Sequence, residues 1–98
     1  MNQAWRRRKR QPTTIERYIA WRLNGLRGAQ SWQSFANTLG IPKPTIYGAA
    51  QREEAGDETI TALCRIWRIT RIELERMAVD WAEDQAAPFV RGSMTVEK

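Results

Sequence analysis

Ser31-Trp32-Gln33-Ser34-Phe35-Ala36-Asn37-Thr38-Leu39-Gly40-Ile41-Pro42-Lys43-Pro44-Thr45-Ile46-Tyr47-Gly48-Ala49-Ala50-Gln51 is the stretch on which the fold turns. Ser31 can cap a helix of about two turns, with Phe35, Ala36 and Leu39 as its inner face and Gly40 as its end. A turn at this place needs a residue comfortable at positive φ, which glycine is. A second short helix begins around Pro42 to Pro44, where the missing proline N–H would be unpaired in any case. It runs to about Glu53 and carries Ile46, Ala49 and Ala50 inward. Ala36 is the small residue required where two helices meet steeply, and Ile41 and Ile46 anchor the turn and the second helix. The spacing predicts a helix-turn-helix whose second helix is sized to enter the major groove of duplex DNA. Lys43, Thr45, Tyr47 and, a turn later, Gln51 and Arg52 are left pointing outward.

The flanking chain reads as three more helices. Thr13 and Glu16 have capping-box spacing, so a helix starts near Thr13 or Thr14 and carries Ile15, Tyr18, Ile19, Leu23 and Leu26 as one apolar stripe up to Gly28. Arg22 lies along that stripe, where an arginine needs a partner or must snorkel outward. Gly56-Asp57 reads as a stop followed by an aspartate cap, opening a fourth helix with Ile60, Leu63, Cys64, Ile66 and Trp67 on its apolar face. Thr70 and Glu73 repeat the capping-box spacing and open a fifth, with Ile72, Leu74, Met77, Ala78 and Trp81, which the charges Asp80, Glu83 and Asp84 end before Pro88. Period-2 alternation is missing throughout, so the fold class is all-α, a compact five-helix domain. Residues 1–12 form a basic N-terminal arm, 13–87 the helical domain and 88–98 a flexible tail.

Composition narrows the function. Hydrophobic content of 42% and charged content of 28% over 98 residues suit one soluble domain with a single modest core. No apolar run approaches the roughly 20 residues that span a bilayer, so no membrane partner is expected. A charged helix instead of an apolar core follows the basic start, so secretion is not expected, and the lone Cys64 is compatible with a reducing cytoplasm. With no histidine and one cysteine the chain lacks the commonest general base and the usual zinc ligands, so neither an enzyme nor a metal or cofactor is expected. The net charge of +5 conceals an asymmetry: residues 1–52 hold ten Lys/Arg against Glu16 alone (+9), and residues 53–98 hold six against ten acids (−4). A basic half carrying a helix-turn-helix points to a polyanion. Arg6, Arg7, Arg8, Lys9 and Arg10 repel one another, so the arm is expected to be disordered when free and to bind phosphates or reach into a groove. The same run also fits a localisation signal or a solubilising tail.

Residues 31–51, followed by two capped helices, resemble the helix-turn-helix domain of phage repressors of the lambda, 434 and Cro type and the wider Xre-like regulators. Phe35, Ala36, Leu39, Gly40, Ile41 and Ile46 carry the resemblance: alanine, glycine four on, a branched apolar residue six beyond. It extends over about residues 13–78. It implies a sequence-specific duplex DNA binder, usually a dimer on a palindromic operator. It places base-reading positions on Lys43, Pro44, Tyr47, Gly48 and Gln51, and phosphate-positioning ones on Trp32 and Gln33. Four positions depart from the family pattern. Pro42 stands where a capping serine or threonine is usual, and Pro44 and Gly48 bring no polar side chain. Ala50 stands where many members carry a glutamate paired with an arginine of the first helix, which leaves Arg22 to find another partner, Glu53 or Glu54 being nearest in sequence.

The expected function is a repressor-like transcriptional regulator of phage or mobile-element type, cytoplasmic and nucleoid-associated. Lys43, Thr45, Tyr47 and Gln51 would face base edges, while the arm, Arg52 and the amino ends of the second and third helices neutralise phosphates. Ile72, Leu74, Met77 and Trp81 of the fifth helix form a candidate homodimer contact that sets half-site spacing. Some alternatives stay open. Tyr47 can pack against the first helix instead of meeting a base, Gln51 can be a solvated helix residue, and Trp81 can be core instead of an interface anchor. The acidic half can contact RNA polymerase or another protein, making the chain an activator or interaction module with a nonspecific arm.

Overall fold

The first helix forms because both ends are satisfied locally. The computed structural model describes the backbone from residue 11 to residue 97 and side chains from 11 to 86. Helix α1 spans Thr14–Arg27. Thr13 Oγ1 accepts the Glu16 N–H at 3.1 Å while Glu16 Oε1 accepts the Thr13 N–H at 2.9 Å, the reciprocal box expected from the spacing. Gly28, at φ +54°, ends it. Helix α2 (Trp32–Leu39) begins with Ser31 Oγ accepting the Ser34 N–H and stops at Gly40. Gly40 is left-handed (φ +73°), and its N–H and that of Ile41 return to the Ala36 carbonyl. Helix α3 (Lys43–Gln51) follows, with Pro42 as an N-cap that makes no side-chain bond.

Helix α4 (Asp57–Trp67) departs from expectation at its start. Gly56 is the N-cap and Asp57 the first helical residue, with no side-chain cap. Asp57 and Glu58 therefore act through their charge at the positive end of the helix dipole. Helix α5 spans Arg71–Glu97 and does open on the Thr70–Glu73 box. It does not end before Pro88: residues 88–97, expected as a tail, are helical. A helical proline removes one backbone bond, and the alanines at 82, 86 and 87 are the strongest helix formers available to carry the chain past it. The arm at Arg6–Arg10 lies outside the described residues.

These five helices form a compact all-α fold, with no strand among the described residues. Helix α1 lies between α3 and α5, and the largest fully buried side chains, Ile19, Leu23, Ile46, Leu63 and Leu74, come from α1, α3, α4 and α5. Phe35 and Ala36 add α2 to the same core. Each large side chain buried in this way contributes about 1.5–3 kcal/mol. Several expected core positions turn out to be surface: Leu26, Ile66 and Ile72 are exposed. Leu74 is the reverse case. Expected at a dimer contact, it is wholly buried and has no surface to offer a partner, while Met77 and Trp81 are half-buried against the core.

Glu16 is a buried charge, 3% exposed. Beyond capping α1, its Oε2 accepts the Ala55 N–H at 3.0 Å, across 39 residues of sequence. Asn24 acts in parallel one face over: its Nδ2 donates to the Ala20 carbonyl and to the Ala50 carbonyl at 2.9 Å. Both ends of the segment from α3 to α4 are thus tied to α1. Glu16→Ala leaves two backbone N–H groups without their acceptor and should cost about 3 kcal/mol in urea unfolding. The melting temperature should fall by roughly 10–20 °C, against a few degrees for an exposed control such as Glu75→Ala.

Candidate nucleic-acid interface

Helix α3 presents one face to the core and one to the outside because 46, 49 and 50 recur at helical spacing. Ile46, Ala49 and Ala50 are buried. Lys43, Pro44, Gln51 and Arg52 are exposed, Thr45 is half-buried and Tyr47 is 38% exposed. Gly48 has little surface of its own, yet a Cβ built on it would meet no atom within 4 Å. Between Pro44 and Arg52, one helical turn to either side, the helix therefore leaves space where a side chain would fit. Gly48 thus brings no side chain to this face, as its residue type implies, and can only permit approach.

Trp32 takes part in packing between three helices. Its indole is half-buried against the core, with the Arg27 guanidinium 4.0 Å from its ring centroid and the Tyr47 ring edge-on at 5.3 Å. Arg27 is itself held by donating from Nη1 to the Gln30 carbonyl at 2.7 Å. The result is a stack that joins the end of α1, the start of α2 and the outer face of α3. Tyr47 therefore packs on Trp32 of α2 and still keeps part of its surface exposed. Gln33 is exposed and bonds along its own helix to Asn37. The N–H groups of the first turn of α2 and α3 have no helical carbonyl to pair with, and only that of Ser34 is taken by a cap. Free donors and a positive dipole end thus sit beside exposed Lys43 and Gln33.

Arg22 finds neither Glu53 nor Glu54. Its guanidinium lies 4.0 Å from the Trp67 ring centroid and donates to the Tyr18 hydroxyl at 3.1 Å. Helices α1 and α3 are joined instead by the Asn24 amide, which donates to the Ala50 carbonyl. Sequence periodicity missed Arg27 and Asn24 because both fall off the apolar stripe. Their positions four before Ser31 and four after Ala20 become informative only once α2 and α3 are placed.

Among the described residues, no group of three or more His, Cys, Asp or Glu side chains could hold a metal. No described helix is long and apolar enough to cross a membrane. Trp81 packs against Tyr18 and Trp21, with ring centroids 5.9 Å apart in each pair, and Trp21 is 55% exposed. No family model, curated protein or solved structure matches the chain.

Burial pushes the Cys64 thiol up from its usual range, with the Arg71 charge partly offsetting this. The folded state disfavours the thiolate, so its contribution to stability is intact at neutral pH and is lost as pH climbs past the ordinary thiol value near 9. Iodoacetamide at pH 8 should label Cys64 slowly in the native protein and at once in urea; equal rates would contradict the burial.

Proposed function

We propose that this chain is a sequence-specific duplex DNA-binding transcriptional regulator, non-enzymatic, acting as a homodimer in the cytoplasm at the nucleoid. The observation that carries the reading is the outer face of α3. Lys43, Tyr47 and Gln51 stand around a side-chain-free backbone at Gly48, on a helix tied at its far end to α1. An exposed short helix with a cation, an aromatic hydroxyl and an amide suits base edges in a major groove, lysine favouring guanine and glutamine favouring adenine. The left-handed Gly40 turn and the free N–H groups at the starts of α2 and α3 support phosphate contacts alongside. The resemblance to lambda-type and Xre-like regulators points the same way, and the basic arm, Arg6–Arg10, supplies the nonspecific share of affinity.

A second reading draws on the acidic half. Glu53, Glu54, Asp57, Glu58, Asp80, Glu83 and Asp84 all keep accessible surface, and of these only Asp57 has an ion-pair partner among the described residues. That surface suits contact with RNA polymerase or another protein, which would make the chain an activator.

Selection of bound duplexes from a random pool, followed by titration across salt, tests the first reading. An enriched palindrome is expected; a steep salt slope with no enrichment would leave only the arm. Deleting residues 1–10 should weaken all duplexes alike and reduce the slope of log K against log salt by up to about 4. Lys43→Ala should instead change the preferred bases.

Gly48→Ala separates binding from folding. Alanine fits the open space and should raise stability by roughly 0.5–1 kcal/mol, yet it should weaken specific DNA binding at least tenfold. Undiminished binding by the variant would remove Gly48 from the interface.

A further inference from the structure

The α4–α5 half is acidic, and its cations are not spread over it. Between Glu53 and Ala86 there are four arginines and no lysine, and Arg65, Arg68 and Arg71 all line a single cleft of about 420 Å³ between the end of α4 and the start of α5. Thr61, Cys64, Ile69, Thr70 and Glu73 complete its walls. Arg71 spends one donor on Asp57 Oδ1 at 3.2 Å, and neither Arg65 nor Arg68 has a carboxylate partner among the described residues. Glu73 is engaged with the Thr70 N–H at 2.7 Å. Three guanidiniums against Glu73 in the lining and Asp57 paired to Arg71 at its edge leave a net charge of +1, an excess that a phosphate group would offset. Like charges held together in one concavity repel, and an anion seated between them removes that cost.

We propose that this cleft binds a phosphate group through Arg65, Arg68 and Arg71, with the Thr61 and Thr70 hydroxyls as further donors. The Thr70 oxygen accepts the Glu73 N–H, so its own proton is left for a ligand. Arg71 keeps further guanidinium donors beyond the one on Asp57, and arginine forks match phosphate oxygens in pairs. The phosphate belongs either to a small phosphorylated molecule or to a nucleic-acid backbone. The site stands apart from α3 and does not depend on the DNA reading given above.

The test uses the full chain, followed by NMR of backbone amides and arginine Nε–H groups. Inorganic phosphate, added against chloride at matched ionic strength, should give saturable shifts confined to residues 61–73. Arg65→Gln and Arg68→Gln should each weaken the response about tenfold. Arg68→Gly is a second variant: position 68 sits at φ +59°, so glycine relieves the backbone while deleting the guanidinium, and the fold should survive at no lower urea midpoint. Two further arms identify the source. Saturation by a nucleoside monophosphate, with a random duplex leaving these resonances unmoved, assigns a small molecule. Shifts with the duplex, and a salt slope reduced by about 2 in Arg65→Gln/Arg68→Gln, assign the nucleic-acid backbone. Shifts scattered over all surface arginines, or a response unchanged in the variants, overturn the proposal.

Discussion

The tie between α1 and the chain around α3 is the constraint on which the rest of the molecule depends. Helix α3 is a weak helix by itself: nine residues long, without a side-chain cap, with Pro44 in its first turn, Thr45 and Ile46 β-branched and Gly48 in its middle. Helices of that length and composition do not persist alone in water. It is held instead by what it buries, Ile46, Ala49 and Ala50, and by two polar bonds from α1. Asn24 fixes the carbonyl of Ala50, and Glu16 fixes the N–H of Ala55 just beyond the helix. A buried carboxylate is costly unless fully bonded, so it tolerates one geometry, and that property makes it a register device as much as a source of stability.

Local signals were legible in the sequence wherever one short segment supplied both partners. Thr13 with Glu16, Thr70 with Glu73, Ser31 at α2 and Gly40 after it all act within four residues, and each stands in the structure where its spacing placed it. Legibility failed where the partner was distant. Glu16 declared itself as a cap, but its second oxygen serves a residue 39 positions away, which no spacing rule reaches. Arg22 announced that it needed a partner and took an aromatic ring, Trp67, in place of a carboxylate. Leu74 and Ile72 occupy the same apolar pattern and have opposite fates, because the line between core and surface along α5 is drawn by where α1 crosses it.

The candidate interface divides in the same way. Its outward members, Lys43, Tyr47 and Gln51, follow from the inward set on α3, since a helix with three buried positions at 46, 49 and 50 has little freedom in what it exposes. The Arg27–Trp32–Tyr47 stack does not follow from that pattern. It joins three elements, and it is what restricts the Tyr47 ring, a side chain whose free rotation would blur any contact it makes. The features that make α3 a poor helix are also what leave its outer face sparse in side chains: a proline at the entry and a glycine in the middle lower its intrinsic helicity and leave the space over Gly48 empty. Such a helix is sustainable only because α1 supplies the missing order.

Charge completes the logic. Like charges gathered on one half of a small domain destabilise it, and paired surface charges would relieve this. Yet Arg71 with Asp57 is the one ion pair joining two described residues, and it is 44% and 89% exposed, so it contributes little. Stability therefore rests on the apolar core and on the uncharged and buried polar ties of α1, not on the surface charges. Cations that are not occupied in holding the fold are free to meet an external anion, and the two places where they concentrate among the described residues differ in kind. At α3 Lys43 and Arg52 flank a convex helix face, which suits a groove in a large polyanion. Between α4 and α5 the arginines line a concavity, which suits a single compact anionic group.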